Sequence, residues 1–487
     1  MISVRNRLRL SNGNKWIWLG LFLISFTISC DLFKKLPDTD PISDTDEDLN
    51  DIQGPKQIDP ETGEFEVVTN LSEDMDTIKW TMNSPDKFPP ITSDTPYQPS
   101  ENGDGVVAGG GPYRISMLLP FFTDRFYSAS GEIYENSDWA LQFYGGTKMA
   151  ISQLEKDGCN LQFYIYDTKG TETTTNQILN SQPAINGSHM IIGPYLSSNA
   201  RVVANFARQN KIPVVVPYSP SSNLSPHNPY LVQANPTFKS HADALVKHIR
   251  SNYTSEQVVL VVPNKPDEIQ RLMYFQEANY EFMGSVDSTA RFQEFIVTDE
   301  SVDLSKTNIG PYLRADKKTI FIIPTWDNES FVYSFLRKLK IAQAGFSEVE
   351  VYGMPNWMTF EQIDYALYED LNLHVSSFFY VDDYDPVIKK FKLDYFNTYG
   401  IAPSEEAYVG YGLTLYFGRL LNKFGKDWIN HLDGFPGESL YTKYQFQKIT
   451  DPDVSSDMEL LNNVERYENR FLHILKFEDY HFQPINE

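Results

Sequence analysis

Cysteines, basic residues and long apolar runs are all scarce in this sequence. Only Cys30 and Cys159 occur among 487 residues, so at most one disulfide can form and a disulfide scaffold is excluded. Lysine and arginine number 41 against 65 aspartate and glutamate, which gives a net charge of −24. This charge argues against nucleic acid as a partner, because phosphate backbones attract positive surfaces. No run of 18 apolar residues is present, so the folded part is not a bundle of membrane-spanning helices.

The motifs of common enzymes and metal sites are also missing. The sequence has no Gly-x-Ser-x-Gly elbow, no glycine-rich loop ending in Gly-Lys-Ser or Gly-Lys-Thr, and no His-Glu-x-x-His. His241 and His248 share a predicted helix face, but no carboxylate or cysteine at ligand spacing stands out beside them. A partly exposed helix face explains the two histidines better. We therefore predict a protein without catalytic activity, cofactor or metal.

The first 29 residues have the pattern of a bacterial export signal. Four bases, at positions 5, 7, 9 and 15, precede an apolar stretch at 16–28, and Ser29 stands directly before Cys30. The end of this stretch resembles the lipobox of bacterial lipoproteins, which implies cleavage before Cys30 and attachment of lipid to that cysteine. An uncleaved N-terminal anchor helix is the alternative, and either arrangement holds the protein on a membrane. Removal of residues 1–29 takes away four bases and no acids, so the mature charge would be −28.

Residues 30–112 are predicted to be an acidic, disordered tether. Aspartate and glutamate crowd this stretch and prolines recur at 37, 41, 55 and 60, whereas large apolar residues are few. A flexible tether of this length holds the folded part well away from the lipid surface. We expect the protein to face the periplasm from the outer membrane. Asp31, directly after the cysteine, resembles an inner-membrane retention signal, so the inner membrane is the alternative.

From residue 113 onward, apolar runs alternate with amphipathic helical patterns. The runs at 113–119, 161–167, 190–192 and 213–216 are typical of buried strands, and Ser137 is the expected N-cap of the first helix between them. The same rhythm restarts near residue 239 and continues to about residue 423. This alternation predicts parallel sheets with right-handed crossovers. The length favours two such sheets in tandem over one very wide sheet.

Several segments of this region match a known family in order along the chain. They are MIIGPYLSSNA (190–200), NKIPVVVPYS (210–219), TIFIIPTWDNESFV (319–332), YGMPNW (352–357) and ENRFLHILKFEDYHF (468–482), together with Asp385-Pro386, Tyr399-Gly400 and Gly410-Tyr411. The ordered series resembles type I periplasmic binding proteins, in particular the leucine-binding and amide-binding branch. The resemblance covers residues 113–487.

The resemblance implies an α/β fold of two Rossmann-like lobes with parallel sheets, joined by a three-strand hinge. It also implies a ligand cleft between the lobes that opens and closes by hinge motion. We expect lobe 1 at about 113–235 and 382–450, and lobe 2 at about 236–381 and 451–487.

The candidate ligand-binding residues of lobe 1 follow two strands. Ser197 and Ser198 lie between a buried strand and a helix N-terminus, where free N–H groups, the helix dipole and the hydroxyls attract a carboxylate or similar anion. Simple capping of the helix by either serine is the alternative. Tyr218, Ser219 and Ser221 follow the next strand at the carboxyl edge of the sheet, where open α/β sheets bind ligands. The bulk of Tyr218 departs from the pattern of the family's amino-acid binders and weakens the case for amino-acid specificity.

Lobe 2 contributes candidates after two further strands. Asn264 follows one strand, and Trp326 and Asp327 follow another. Asp327 suits an ammonium group and Trp326 suits an apolar or sugar face. The alternative for Asp327 is an N-cap of the next helix.

The leading functional prediction is reversible binding of a small polar ligand, such as an amino acid or a peptide-like compound, for uptake or sensing. A permease would be the partner in uptake. The alternative is an envelope interaction protein that regulates peptidoglycan synthesis or another complex, as activators of peptidoglycan synthases with the same domain do. The serines at the helix N-terminus favour the first prediction, and the long tether favours the second.

Overall fold

The computed structural model describes residues 112–125, 133–284, 290–346, 348–450 and 464–486, together with two short strands near the N-terminus. These strands, β1 (Lys56–Ile58) and β2 (Phe65–Val67), pair antiparallel with Gln57 opposite Glu66. They fall within the predicted tether, so these six residues form a hairpin where unstructured chain was expected. The rest of that segment, the export signal and Cys30 lie outside the described residues.

Lobe 1 is built on a seven-stranded sheet. Its strands are β3 (Tyr113–Leu119), β4 (Leu161–Asp167), β5 (Met190–Ile192), β6 (Val214–Val216), β7 (Leu231–Gln233), β15 (Phe446–Thr450) and β16 (Val464–Asn469). In space they run β15, β16, β7, β6, β5, β3, β4, and every pair is parallel except β15 with β16. The helices of this lobe are α1 (Glu135–Lys156), α2 (Glu172–Ser181), α3 (Pro183–Asn186), α4 (Ser197–Asn210), α9 (Pro386–Tyr399) and α10 (Glu405–Phe424).

Burial on both faces explains why these strands are almost continuously apolar. In β3, Ile115, Met117 and Leu119 join one core, whereas Leu118 joins a second core on the opposite face. Successive side chains of a strand point to opposite faces, so a sheet covered by helices on both sides needs apolar residues at nearly every position.

Lobe 2 repeats this plan with a second seven-stranded sheet. Its strands are β8 (Val258–Pro263), β9 (Gln293–Val297), β10 (Thr319–Ile322), β11 (Val349–Gly353), β12 (Leu373–Ser377), β17 (His473–Glu478) and β18 (His481–Pro484). The spatial order is β18, β17, β12, β11, β10, β8, β9, and β17 runs antiparallel to both of its neighbours. The helices are α5 (Phe238–Asn252), α6 (Pro266–Met283), α7 (Glu329–Ala342) and α8 (Tyr365–Asp370). The predicted fold of two mostly parallel α/β lobes is confirmed.

Short elements complete the described structure. A small hairpin pairs β13 (Gly437–Glu438) with β14 (Lys443–Tyr444), and 3₁₀ helices occupy Ser255–Gln257, Gly310–Tyr312, Pro355–Thr359 and Gly425–Gly434. None of the helices within the described ranges is long and apolar enough to cross a bilayer.

Three segments of chain pass between the lobes. They follow β7, β12 and β16, and lead into α5, α9 and β17 respectively. The expected lobe 2 segment 451–487 needs correction, because β16 pairs with β7 and β15 of lobe 1 and the chain enters the lobe 2 sheet only at His473.

A buried ion network holds the first and third segments together. Glu468 of β16, which is 0% exposed, accepts hydrogen bonds from the backbone N–H and the hydroxyl of Thr237, at 2.9 and 2.8 Å, and from the hydroxyl of Ser240. Arg466 donates to the same carboxylate at 2.9 Å, and Arg470 pairs with Asp243 of α5. The start of a lobe 2 helix is therefore fixed to the last strand of the lobe 1 sheet.

Candidate functional site

The structure brings Ser197 and Ser219 together at the carboxyl edge of the lobe 1 sheet. Their hydroxyl oxygens lie 2.8 Å apart, although the residues are 22 positions apart in sequence. Ser219 is 2% exposed and fixed by its loop, whereas Ser197 is exposed at the first position of α4. The N-cap residue is Leu196, whose side chain makes no capping hydrogen bond. Capping by a serine, the structural alternative, is therefore wrong for this helix.

Ser198 and Ser221 lie beside this pair, and the backbone N–H of Ser221 donates to the hydroxyl of Ser219 at 3.5 Å. Ser198 is exposed at the second position of α4. In the neighbouring loop, Gln233 donates from Nε2 to the backbone carbonyls of Ser219 and Ser221, at 3.0 and 2.9 Å. A buried amide thus holds the loop that carries Ser219 in one conformation.

Tyr218 belongs to an aromatic cluster in lobe 1. Its ring lies 5.1 Å from that of Trp139, 5.5 Å from Tyr195 and 6.3 Å from Phe378, all in edge-to-face geometry. The hydroxyl of Tyr218 is buried and has no hydrogen-bond partner among the described residues. Burial raises the pKa of Tyr218 well above its ordinary value, and the nearby carboxylate of Glu405 adds to this shift.

In lobe 2, Trp326 packs within its own lobe at the end of β10. Its ring lies 5.8 Å from Phe238 and 5.6 Å from His241. His241 is 1% exposed and its Nδ1 is 2.8 Å from the hydroxyl of Ser376. The expected partly exposed position is therefore wrong for His241, and burial lowers its pKa to about 3.

Asp327 and Asn264 occupy exposed positions at the same edge of lobe 2. Asp327 accepts a 2.7 Å hydrogen bond from Asn356, and the N-cap of α7 is the next residue, Asn328, which accepts from the N–H of Phe331. The capping alternative for Asp327 is thus wrong by one position. Asn264 lines a cavity of 480 Å³ formed by lobe 2 residues alone.

Lobe 2 also has a buried charged group, Glu268, that the sequence pattern did not predict as a site residue. Glu268, 7% exposed in the first turn of α6, pairs with Arg271 at 3.0 Å and accepts a 3.2 Å hydrogen bond from Thr325. Burial raises the pKa of Glu268 even though Arg271 opposes the shift. An acidic residue just after a strand, in the first turn of a helix, was the available signal.

The two walls of candidate residues remain separate in this structure. Within the described ranges, no hydrogen bond, ion pair or ring contact joins the Ser197–Ser219 pair to Trp326 or Asp327. Lobe 1 presents hydroxyls and a helix N-terminus, and lobe 2 presents an aromatic ring and a paired carboxylate.

Comparison with known proteins identifies the family of this chain. The model of the family described as periplasmic binding protein matches residues 135–448, which is well over half of the chain. The chain belongs to the periplasmic binding protein family. A search of curated proteins found no relative with significant sequence similarity.

Solved structures with the same fold belong to transporter systems. A putative branched-chain amino acid ABC transporter protein from Rhodospirillum rubrum matches with a TM-score of 0.54 and 14% identity over 77% of this chain and 100% of its own. An ABC-type branched-chain amino acid transporter protein from Rhodopseudomonas palustris matches with a TM-score of 0.52 and 14% identity, over 77% and 95% of the two chains. A substrate-binding protein from Desulfitobacterium hafniense gives 0.51 and 15%, over 77% and 100%.

The two edges described above are therefore sheet edges of a periplasmic binding protein. In this fold the lobes are separate α/β units, and open α/β sheets bind ligands at the carboxyl ends of their strands. Ser197, Ser219, Trp326 and Glu268 all lie at such ends.

Proposed function

We propose that this protein binds a small polar ligand in the cleft between its lobes, for uptake or sensing, and has no enzymatic activity. The observation that carries the proposal is the pair of hydroxyls of Ser197 and Ser219, 2.8 Å apart at the start of a 14-residue helix. The transporter proteins that share the fold support it. A permease is the partner that uptake requires.

The local chemistry favours an acceptor group on the ligand. No side chain caps α4, so the first N–H groups of the helix and the positive end of its dipole remain available to a carboxylate or carbonyl oxygen. The exposed hydroxyl of Ser197 adds a donor, and the buried Ser219 holds that hydroxyl in place. Across the cleft, Trp326 offers an apolar face to the body of the ligand.

The location is part of the proposal. A lipid-modified Cys30 at the start of the mature chain would hold the protein on the periplasmic face of a membrane, in first place the outer membrane. Labelling of cells with a clickable palmitate analogue tests this, because a Cys30→Ala variant should lose both the label and the membrane fraction. A Cys159→Ala variant, which keeps the first cysteine, should retain both.

The ligand is best sought with the mature chain from residue 30 onward. Native mass spectrometry would detect a retained small molecule, and thermal unfolding would then be measured with amino acids, short peptides, other carboxylates and cell-wall fragments. A ligand at 100 times its dissociation constant adds about 2.7 kcal/mol to the free energy of unfolding. A hydrogen bond between a serine hydroxyl and the ligand contributes about 0.5–1.5 kcal/mol to the free energy of binding. A Ser197→Ala, Ser219→Ala double variant should therefore bind the ligand about tenfold more weakly.

A matched control is Ser251→Ala, an exposed serine at the far end of a lobe 2 helix, which should bind as the natural chain does. The proposal for this site is wrong if a ligand binds the double variant and the natural chain equally well.

The second candidate function is an envelope interaction protein that regulates peptidoglycan synthesis or another complex. One observation favours it: Tyr218 and its aromatic neighbours fill the lobe 1 wall, and Ser219 is almost completely buried. Under this hypothesis the folded protein shows no shift with any compound of the panel. A retained ligand in native mass spectrometry would contradict it.

A further inference from the structure

A cavity of 340 Å³ lies where the second connecting segment passes between the lobes. This volume is in the range of small-molecule pockets. Its walls come from both lobes and from the segment itself: Glu405 and Tyr408 of α10, Phe379 and Tyr380 of the segment, and Met358 and Phe482 of lobe 2. The pocket is separate from the Ser197–Ser219 pair, and none of its residues was a candidate in the sequence.

A buried hydroxyl in this pocket lacks a partner. Tyr408 is 3% exposed, and its hydroxyl makes no hydrogen bond to any described residue. The ring packs against Phe391 at 4.8 Å and Phe379 at 6.0 Å. A buried polar group without a partner destabilises the folded state, and a ligand with a hydrogen-bonding group would remove that cost.

One turn earlier on the same helix, the carboxylate of Glu405 also has no partner. Within the described ranges it takes part in no hydrogen bond or ion pair, whereas the neighbouring Glu406 accepts from the hydroxyl of Ser404. The one cation of the pocket lining, Lys392, is already paired with Asp383 at 2.5 Å. The pocket therefore combines aromatic walls with one uncompensated negative charge.

We propose that this pocket binds a small organic amine, whose ammonium group pairs with Glu405 and whose apolar body packs against Phe379 and Phe482. The hydroxyl of Tyr408 would accept a hydrogen bond from the ammonium group. Aromatic faces attract cations as well as apolar groups, so both parts of such a ligand are accommodated. Because both lobes line the pocket, an amine bound there stabilises one arrangement of the lobes and acts on the proposed cleft from a second site.

Affinity for an amine should depend on pH through Glu405. Neighbouring protein atoms raise the pKa of Glu405 to about 7 even though the residue is exposed, and the charge of Glu406 adds to the shift. The other charged and titratable groups around it are Asp383, Lys392, Tyr195, Tyr218, Tyr380, Tyr408 and Tyr441. Since a protonated Glu405 cannot pair with an ammonium ion, the dissociation constant should rise about tenfold between pH 8 and pH 6.

The test is isothermal titration of the mature chain with 2-phenylethylamine and with its neutral analogue 2-phenylethanol. We expect the amine to bind at pH 8 and the alcohol to bind at least tenfold more weakly. Glu405→Gln should reduce amine affinity at least tenfold, and Tyr408→Phe should reduce it several-fold. Glu438→Gln, which removes an exposed carboxylate elsewhere in lobe 1, is the control for net charge and should have no effect.

Two further variants make the result specific. Glu406→Gln should retain amine binding and shift the pH midpoint downward, because it removes the charge that helps to raise the pKa of Glu405. The Ser197→Ala, Ser219→Ala variant should bind the amine normally, so failure of the cleft proposal and failure of this one can be told apart. Equal binding of the amine and the alcohol, or of the amine by the natural chain and Glu405→Gln, would overturn the proposal.

Discussion

Replacement of Glu468 should destabilise the protein more than replacement of an exposed charged residue. Its carboxylate joins β16 of lobe 1 to the segment that leads into α5 of lobe 2. The group is 0% exposed, accepts hydrogen bonds from Thr237 and Ser240, and pairs with Arg466, which is itself largely buried. Removal of one partner from a buried ion pair costs about 3–5 kcal/mol, since the other charge stays buried without compensation. We expect Glu468→Gln to lie near the lower value, because the amide oxygen still accepts from Thr237, and Glu468→Ala near the upper value.

The assay is equilibrium unfolding in urea at pH 7, followed by the fluorescence of Trp139, Trp326, Trp357 and Trp428. Glu438→Gln, which removes an exposed carboxylate, serves as the control and should leave the midpoint unchanged.

A pH series adds a second check on the same group. Burial alone would raise the pKa of Glu468, but Arg466 and the hydrogen bonds from Ser240 and Thr237 bring it below its ordinary value. A carboxylate with a lowered pKa in the folded state contributes stability at neutral pH and loses it as the pH falls through that pKa. The stability gap between the natural chain and Glu468→Gln should therefore narrow below about pH 4. A loss under about 1 kcal/mol at pH 7, or a gap that does not change with pH, would refute this account of the hinge.

Two other substitutions, one in each lobe, test the packing of buried residues. In lobe 1, a Cβ added at Gly146 would lie 1.9 Å from the backbone oxygen of Ala407. Gly146→Ala should therefore force α1 and α10 apart and lower the free energy of unfolding by about 1–3 kcal/mol. Gly434→Ala, which has open space around the new Cβ, is the control and should cause no measurable loss in the same urea assay. In lobe 2, His241 has a pKa of about 3 because it is buried, so the folded state resists its protonation and loses stability as the pH falls below the ordinary value of 6.5. From pH 7 to pH 5 the natural chain should lose about 2 kcal/mol more than His241→Gln does, and equal losses would show that folding does not lower the pKa of His241.

The strands with continuous apolar sequence could be predicted almost to the residue. The predicted bounds 113–119, 161–167 and 190–192 agree with β3, β4 and β5. In β3 and β5 most positions are buried, because strands covered on both faces need apolar side chains. The apolar runs do not predict every strand. β7 is only three residues long and has no flanking pattern, and β16, with the sequence VERYEN, has charged side chains at half of its positions.

The predicted lobe 2 segment 451–487 is wrong for the same reason that β16 was not predicted. Glu468 can be buried in β16 because Thr237 and Ser240, about 230 positions earlier, supply its hydrogen bonds. A local pattern cannot reveal partners at that distance, so a polar segment was assigned to the wrong lobe. Ser137 shows a smaller version of this effect: α1 begins two residues earlier, and the serine hydroxyl donates to the backbone oxygen of Phe121 at 2.8 Å.

The position of a residue after a strand predicted which hydroxyls lie close together. It did not predict which acidic residues lie near the candidate sites. Ser197 and Ser219 were predicted from the ends of β5 and β6, and their hydroxyls do lie together. Glu268 and Glu405 were missed because each lies in the first turn of a helix, where an acidic residue is also expected merely to stabilise the helix dipole.

The two walls of the proposed cleft differ in which donors and acceptors they leave free for a ligand. On lobe 1, the uncapped start of α4 and the hydroxyl of Ser197 offer donors that nothing in the described structure uses except Ser219. On lobe 2, Glu268 is already neutralised by Arg271, and Asp327 already accepts from Asn356. An ammonium group would therefore have to compete for a carboxylate, whereas a carboxylate or carbonyl group would meet free donors. This asymmetry supports a ligand that presents an acceptor to lobe 1 and an apolar body to Trp326. The carboxylate of Glu405, which pairs with no described residue, lies instead in the pocket beside the second connecting segment.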